Sequence, residues 1–383
     1  MESLYSFVSF HTYSYTTIII IGILFYYLYQ YISSIKSLHK WFHIPGTLTD
    51  LSRSLLFPSE IFAILKIKFG GYMKKREKIS LDKLAIELND IDFCYATLNK
   101  VSRSFAFVIQ ELPSELKDVV CIFYLVLRGL DSVEDDMNYP DEKKILLLKQ
   151  FHKNLTIDNW TIKHVGSIDT ISSYNLYCHY VAGLVGYGLS EIFSKSEFED
   201  DNLHVNEKLS DSMGLFLQKT NIIRDYLEDL EAGRTWWPKE IWKNYANDLC
   251  DFSQYPKDKQ SLECLNHMVI DSLSHVPDVL IYLNRLRNRQ IFKFCAIPQV
   301  MAMATLAQLY SNSKVFTSMI KIRKGLTCKL MLNCSNINQV HYWFYLFIQK
   351  IESKIPNETN INVTQMKRLV QQIKISCQNP MKI

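Results

Sequence analysis

Two stretches of the chain gather carboxylates at helical spacing with an arginine beside them. In Tyr124-Leu-Val-Leu-Arg128-Gly-Leu-Asp131-Ser-Val-Glu134-Asp135, the acids Asp131, Glu134 and Asp135 stand at i, i+3 and i+4. A helix puts those positions on one face, with Arg128 one turn earlier on the same face. In Gln218-Lys-Thr-Asn221-Ile-Ile-Arg224-Asp225-Tyr-Leu-Glu228-Asp229, Asp225 and Asp229 stand at i and i+4, and Gln218, Asn221, Arg224 and Asp225 form a polar stripe. Neighbouring like charges repel by a few tenths of a kcal/mol per pair even in water. A single acidic trio is explained by a solvated face or by a hard divalent cation collecting its oxygens. Two such helices, each with an arginine, point to a diphosphate site. There Mg²⁺ would bridge one or two carboxylates and the substrate's phosphate oxygens.

Other residues could serve the same chemistry. Ser102-Arg103-Ser104-Phe105 offers hydroxyls and a guanidinium fork for phosphate oxygens, although such triplets also occur on ordinary surfaces. Arg234, five residues after Asp229 and next to Trp236-Trp237-Pro238, is either a phosphate clamp or a capping or cation–π arginine. Tyr177-Cys-His179-Tyr-Val-Ala-Gly183-Leu-Val-Gly186-Tyr-Gly188 spaces glycines along an apolar helix. They permit close approach of another helix or of a substrate chain. His179 in that run reads as a satisfied core histidine rather than a ligand. HExxH, Walker A, GxSxG and paired CxxC patterns are absent, which removes zincin, P-loop, serine-hydrolase and zinc-ribbon chemistry.

These groups need a scaffold, and the composition says which. Among 383 residues there are only 12 Gly and 10 Pro, about half of ordinary usage. Few turn residues favour long helices over a strand-rich fold or a Gly-rich nucleotide fold. With 22 Tyr, 21 Phe and 6 Trp, the chain can line a large apolar cavity. The 43 basic and 39 acidic side chains leave a net charge of +4, too mixed for a nucleic-acid footprint. Nine cysteines without a CxxC pair read as reduced thiols on the cytosolic side. Val119–Leu127 is expected to be a buried core helix. Ile291–Leu309, interrupted by Lys293 and Pro298, is expected to be a kinked interior helix rather than a span.

The N-terminus differs. No Lys, Arg, Asp or Glu occurs from Ser3 to Ile35, and Tyr15–Ile32 is almost wholly apolar or aromatic. Eighteen helical residues reach about 27 Å, enough for a thin bilayer. Lys36 and Lys40 follow it, so the positive-inside tendency leaves the bulk of the chain in the cytosol. A membrane anchor over residues 1–40, a helical catalytic domain over 41–332 and a helical tail without a span over 333–383 are expected.

Several blocks resemble the squalene synthases, the farnesyl-diphosphate farnesyltransferases. They are Phe93–Met137 (FCYATLNKVSRSFAFVIQELPSELKDVVCIFYLVLRGLDSVEDDM), Tyr177–Leu189, Ser212–Pro238 (SMGLFLQKTNIIRDYLEDLEAGRTWWP), Phe294–Ala304 (FCAIPQVMAMA) and Lys321–Gly325 (KIRKG). The blocks follow the family order over roughly residues 80–330. The resemblance implies an all-α isoprenoid-synthase bundle around a central cavity. It implies condensation of two farnesyl diphosphates into presqualene diphosphate, followed by reduction with NADPH to squalene. By position, Asp131, Glu134 and Asp135 match one Mg²⁺ cluster, and Asp225 and Asp229 the other. Arg103, Arg128, Arg224 and Arg234 match diphosphate clamps, some of which also meet NADPH. Lys321 and Arg323 match NADPH phosphate contacts, and Tyr177 the tyrosine of the first half-reaction. Phe294, Cys295, Pro298 and Gln299 match the wall of the second-step pocket. Ser102, Phe105, Tyr124, Gln218 and Asn221 are further expected substrate contacts. The resemblance also implies the endoplasmic reticulum membrane, and a monomer is expected. Family members commonly carry their anchor at the C-terminus, whereas the apolar segment here is N-terminal. A sister activity that couples prenyl diphosphates without reduction, and a non-catalytic relative, are the competing readings. The intact acidic motifs and the Lys321-Ile-Arg323 block weigh against them.

Overall fold

The computed structural model describes residues 57–69, 90–134 and 168–378. The Tyr15–Ile32 segment lies outside them. All regular structure among the described residues is helical. The chain divides into two compact units. The described part of one is residues 57–69 with 323–329, and the other holds the remaining described residues.

The smaller unit contains α1 (Pro58–Phe69). The larger unit begins with α2 (Asp90–Val101), α3 (Arg103–Gln110) and α4 (Ser114–Glu134), which pack on one another. Ser102 caps α3: its Oγ accepts from Phe105 N at 3.3 Å. After α5 (Ile171–Cys178) comes a π turn at His179–Gly183, which runs into α6 (Leu184–Lys195). The next helices are α7 (Glu207–Arg224), α8 (Tyr226–Glu231), α9 (Lys259–Leu273), α10 (Val276–Arg285) and α11 (Arg289–Leu309). α12 (Lys324–Leu332) starts in the smaller unit and ends in the larger. α13 (Ile337–Glu352) and α14 (Ile361–Gln378) pair with each other, and α13 packs on α11.

Helix α7 is the axis of the larger unit. It touches α5, the π turn, α6, α9, α10 and α11. A helix apolar on most sides belongs inside, and Leu209, Met213, Leu215, Phe216, Ile222 and Ile223 are all buried. The spaced glycines make this possible. A Cβ on Gly186 would run into the Ser210 carbonyl oxygen, and one on Gly214 into the backbone at Ala182 and Gly183. The glycines therefore serve helix-to-helix packing, and the π turn is wound where α7 presses closest. Lys219, 1% exposed, sits inside this packing with its ammonium 2.8 Å from Asp271 and over the ring of Tyr174. A charge so deeply buried requires such a partner.

Two apolar runs fold differently from each other. α11 is interior as expected: it is long and apolar enough to cross a bilayer, yet 78% of its most apolar window is buried, with Pro298 inside the helix. The Val119–Leu127 run is only half interior. Val120 and Cys121 are buried, but Val119 and Ile122 are 47% and 46% exposed. Helical period turns those two side chains away from the α2 and α3 contact, so a continuous apolar run did not mean burial on all sides. All nine cysteines are free thiols, five of them buried.

Candidate active site

The second acidic motif straddles a helix break. α7 ends at Arg224, Asp225 occupies its C-cap position, and α8 begins at Tyr226. The cap still closes with hydrogen bonds, as Asp225 N donates to Asn221 O and Asp229 N to Asp225 O. Each catalytic-type carboxylate is held by an arginine. Arg224 grips Asp225 through Nε to Oδ1 at 2.7 Å and Nη2 to Oδ2 at 2.6 Å. Arg234 donates twice to Asp229 Oδ1, from Nε at 3.1 Å and from Nη2 at 2.9 Å. Its backbone N–H also reaches Asp229 O, so the loop after α8 folds back on the helix. Burial pulls the Arg224 pKa down, but the hydrogen bond and charge of Asp225, with Glu228 and Asp229 behind it, outweigh burial and raise it. Glu228 is raised above the usual carboxylate range by burial and by Asp225, with Lys321 and Arg224 pulling the other way. Four carboxylates, Asp225, Glu228, Asp229 and Glu231, and two arginines thus fall within eleven residues.

Helix α5 joins this cluster. The Tyr177 ring lies flat against Trp236, centroids 4.6 Å apart and planes 11° from parallel. The same loop is tied to the start of α5, where Ile171 N donates to Glu240 Oε2 at 2.7 Å and Lys239 N to Ile168 O at 2.9 Å. Two residues after Tyr177, His179 Nδ1 lies 2.7 Å from Asp211 Oδ1, with its side chain partly exposed. The expected core histidine is therefore a paired histidine at the edge. Gln218 and Asn221 are half-buried on α7, upstream of Arg224. Phe294 meets Phe193 edge-on at 6.0 Å, and Cys295 is buried. Gln299 donates from Nε2 to Met213 O at 3.0 Å, while its Oε1 is buried without a partner. That residue ties the Pro298 region of α11 to the middle of α7.

The other candidates are placed less completely. Asp131 and Glu134 are carried by the last turn of α4, but their side chains, that of Arg103, and all of Asp135 lie outside what is described. Arg128, at the surface of α4, does have an interaction. Phe105 stacks on Tyr124 at 5.3 Å, joining α3 to α4. Ser102 is largely buried and spends its hydroxyl oxygen on the helix cap. The charge of Lys321 is felt at Glu228. Arg323 falls in the smaller unit, where it pairs with Glu60. Reading the sequence overlooked Trp236 as the partner of Tyr177, Asp211 as that of His179, and Glu60. None lies at helical spacing from its partner, so no local pattern announces it.

Three carboxylates close together supply the hard oxygens that Mg²⁺ takes, and in that respect the donor set fits the ion. No ready-made group of three metal ligands is assembled among the described residues. Lys321, in the larger unit, and Arg323, in the smaller, each carry the cationic charge that a phosphate oxygen takes.

The chain is similar to known proteins over most of its length. The family model for squalene/phytoene synthase matches residues 98–164 and 159–325. The chain is 41% identical to the squalene synthase of Homo sapiens over 353 residues, covering 80% of this chain and 84% of that one. It is 39% identical to the squalene synthase of Saccharomyces cerevisiae over 339 residues, covering 73% and 76%. The solved complex of TcSQS with the ligand BPH1237 superposes with a TM-score of 0.71 at 36% identity, covering 76% of this chain and 99% of that one. The chain belongs to the squalene/phytoene synthase family, and its all-helical architecture is that of the isoprenoid synthases.

The alignments also contain a gap. The 353 aligned positions fall on 80% of 383 residues, about 306, so about 47 positions have no residue here. The family match is in two parts that overlap at residues 159–164, between the first acidic motif and Tyr177. The described helices before and after those residues in sequence, α4 and α5, carry exposed apolar side chains, Val119 and Ile122 on one and Leu176 on the other.

Proposed function

We infer that this chain is a prenyltransferase that condenses two farnesyl diphosphates head to head into presqualene diphosphate. It then rearranges and reduces that intermediate with NADPH to squalene, serving isoprenoid and sterol synthesis. Its extended similarity to squalene synthases from animals, plants and yeast supports the reaction. The single structural observation that carries the reading is the paired Arg224–Asp225 and Arg234–Asp229 cluster beside Tyr177.

The chemistry needs a leaving group stabilised and a cation protected. Asp225 and Asp229, together with Asp131, Glu134 and Asp135, would hold Mg²⁺, which would supply positive charge for the departing diphosphate. The arginines Arg103, Arg128, Arg224 and Arg234 add fork-shaped donors for the same oxygens. Arg224 and Arg234, already held by carboxylates, exchange part of that pairing for phosphate when substrate enters, so the site stays close to neutral. Electrostatic stabilisation of this kind is usually the largest catalytic contribution. Ser102, Gln218 and Asn221 add polar contacts. Tyr177, stacked on Trp236, brings a phenol and a ring face to the first cation. Phe105, Tyr124, Phe294, Cys295 and Pro298 would form apolar wall that keeps water from it, with Gln299 contributing a polar amide beside them. Lys321 and Arg323 receive NADPH phosphates. We place the protein in the endoplasmic reticulum membrane through its N-terminal helix, with the catalytic part in the cytosol and acting as a monomer.

The test is product analysis by mass spectrometry with farnesyl diphosphate and Mg²⁺, with and without NADPH. Presqualene diphosphate is expected without NADPH and squalene with it. A product unchanged by NADPH would replace the reductive reading with simple coupling. No product in either case would overturn the reading.

A further inference from the structure

We propose that Glu60 is a positioning residue for NADPH binding: with Phe57 it fixes the Arg323 guanidinium so that its remaining edge meets a cofactor phosphate. The inference rests on the reading above, in which Arg323 contacts NADPH. Glu60 and Arg323 are 263 residues apart in sequence, yet they form a two-point pair. Arg323 donates from Nη2 to Glu60 Oε1 at 2.6 Å and from Nε to Oε2 at 3.2 Å. The Glu60 side chain is only 4% exposed, whereas that of Arg323 is 29% exposed. A carboxylate so completely removed from water is committed to its cation, because separating a buried pair leaves an uncompensated charge.

The second restraint is aromatic. The guanidinium carbon of Arg323 lies 4.1 Å from the centroid of the Phe57 ring. Stacking on a ring fixes the plane of a guanidinium, and a two-point pair fixes its rotation within that plane. Together they set the direction in which the Nη1 edge points, and that edge is not used by Glu60. The first turn of α1 takes a further hold on the same strand of chain, as Ser59 Oγ accepts from Lys329 Nζ at 3.1 Å. A pre-set arginine loses little further entropy on meeting a phosphate, which is how preorganisation raises affinity.

The test uses the full chain in detergent with two readouts. NADPH binding is titrated by tryptophan fluorescence, and presqualene diphosphate formation, which consumes no NADPH, is measured separately. Glu60→Gln is expected to weaken NADPH binding about tenfold and Phe57→Leu about threefold. Both variants should keep at least half of the first-step rate. Unchanged NADPH affinity would overturn the proposal, and tighter binding would show that Glu60 competes with the phosphate. Equal loss of both readouts with a lowered melting temperature would reduce Glu60 to a structural brace, and would equally overturn it. If the unmutated chain forms no presqualene diphosphate, the proposed function fails, while the NADPH titration still reports on Glu60.

Discussion

Helices α4 and α7 carry the same kind of chemical signal, an arginine with carboxylates at helical spacing, but the fold treats them differently. α7 is enclosed by six neighbouring segments, and at its C-terminal end Asp225 and Asp229 are each locked to an arginine. α4 packs on α2 and α3 but leaves Val119, Ile122, Arg128 and Gly129 at the surface. The difference teaches that a motif sets the ligand atoms available, while neighbouring helices set whether they are held in place. Rigidity around a charged group matters because preorganised charges stabilise a transition state without reorganising.

The comparison can be attacked where it is sharpest. Asp225→Asn removes the carboxylate held most firmly in the α7 half, and product formation should fall on the order of 10²–10³-fold at saturating substrate. A variant with unchanged turnover would detach this cluster from catalysis. Gly214→Ala probes packing instead of chemistry. Its methyl group would press into backbone at Ala182 and Gly183, which cannot swing aside, so thermal unfolding should show a loss of about 3 kcal/mol.

Acid should undo the α7 surroundings next. Burial, helped by Lys219 and Lys208, pushes His275 down to about 3 from an ordinary 6.5. Between those values the unfolded chain binds a proton that the folded one refuses, so stability falls as pH drops below 6.5. His275 alone should account for about 2 kcal/mol of loss by pH 5. His267 and His341, also lowered by burial, act in the same direction. His275→Asn should flatten the melting temperature between pH 7 and 5, and an unaltered slope would assign it elsewhere. The smallest effect belongs to α4. A Cβ on Gly129 meets nothing within 4 Å, so Gly129→Ala should stabilise by about 0.5–1 kcal/mol through helix propensity. If Gly129→Ala destabilised as much as Gly214→Ala, the contrast between the two helices would be gone.

Local spacing was enough to put Asp225 and Asp229, four apart, on one face, whereas the grip of adjacent Arg224 on Asp225 forms at the break between α7 and α8. It also made α11 an interior helix, since Lys293, Pro298 and two glutamines suit a packed core better than lipid. It left the glycines of Tyr177–Gly188 open between substrate and helix packing, and only the contact with α7 decided for packing. It read Val119–Leu127 as buried, because an unbroken apolar run does not reveal which faces find a neighbour. Arg234 remained ambiguous until its two bonds to Asp229 were seen.

The amino-acid order alone determined the helical class and the inventory of carboxylates, arginines and aromatics, because these follow from composition and short-range periodicity, while the family was legible only through the resemblance of long blocks in order. Tertiary structure decided the pairings: Tyr177 on Trp236, Lys219 with Asp271, Arg323 with Glu60. The physical reason is that burial and distance between segments far apart in the chain depend on how helices stack, and no local pattern encodes that.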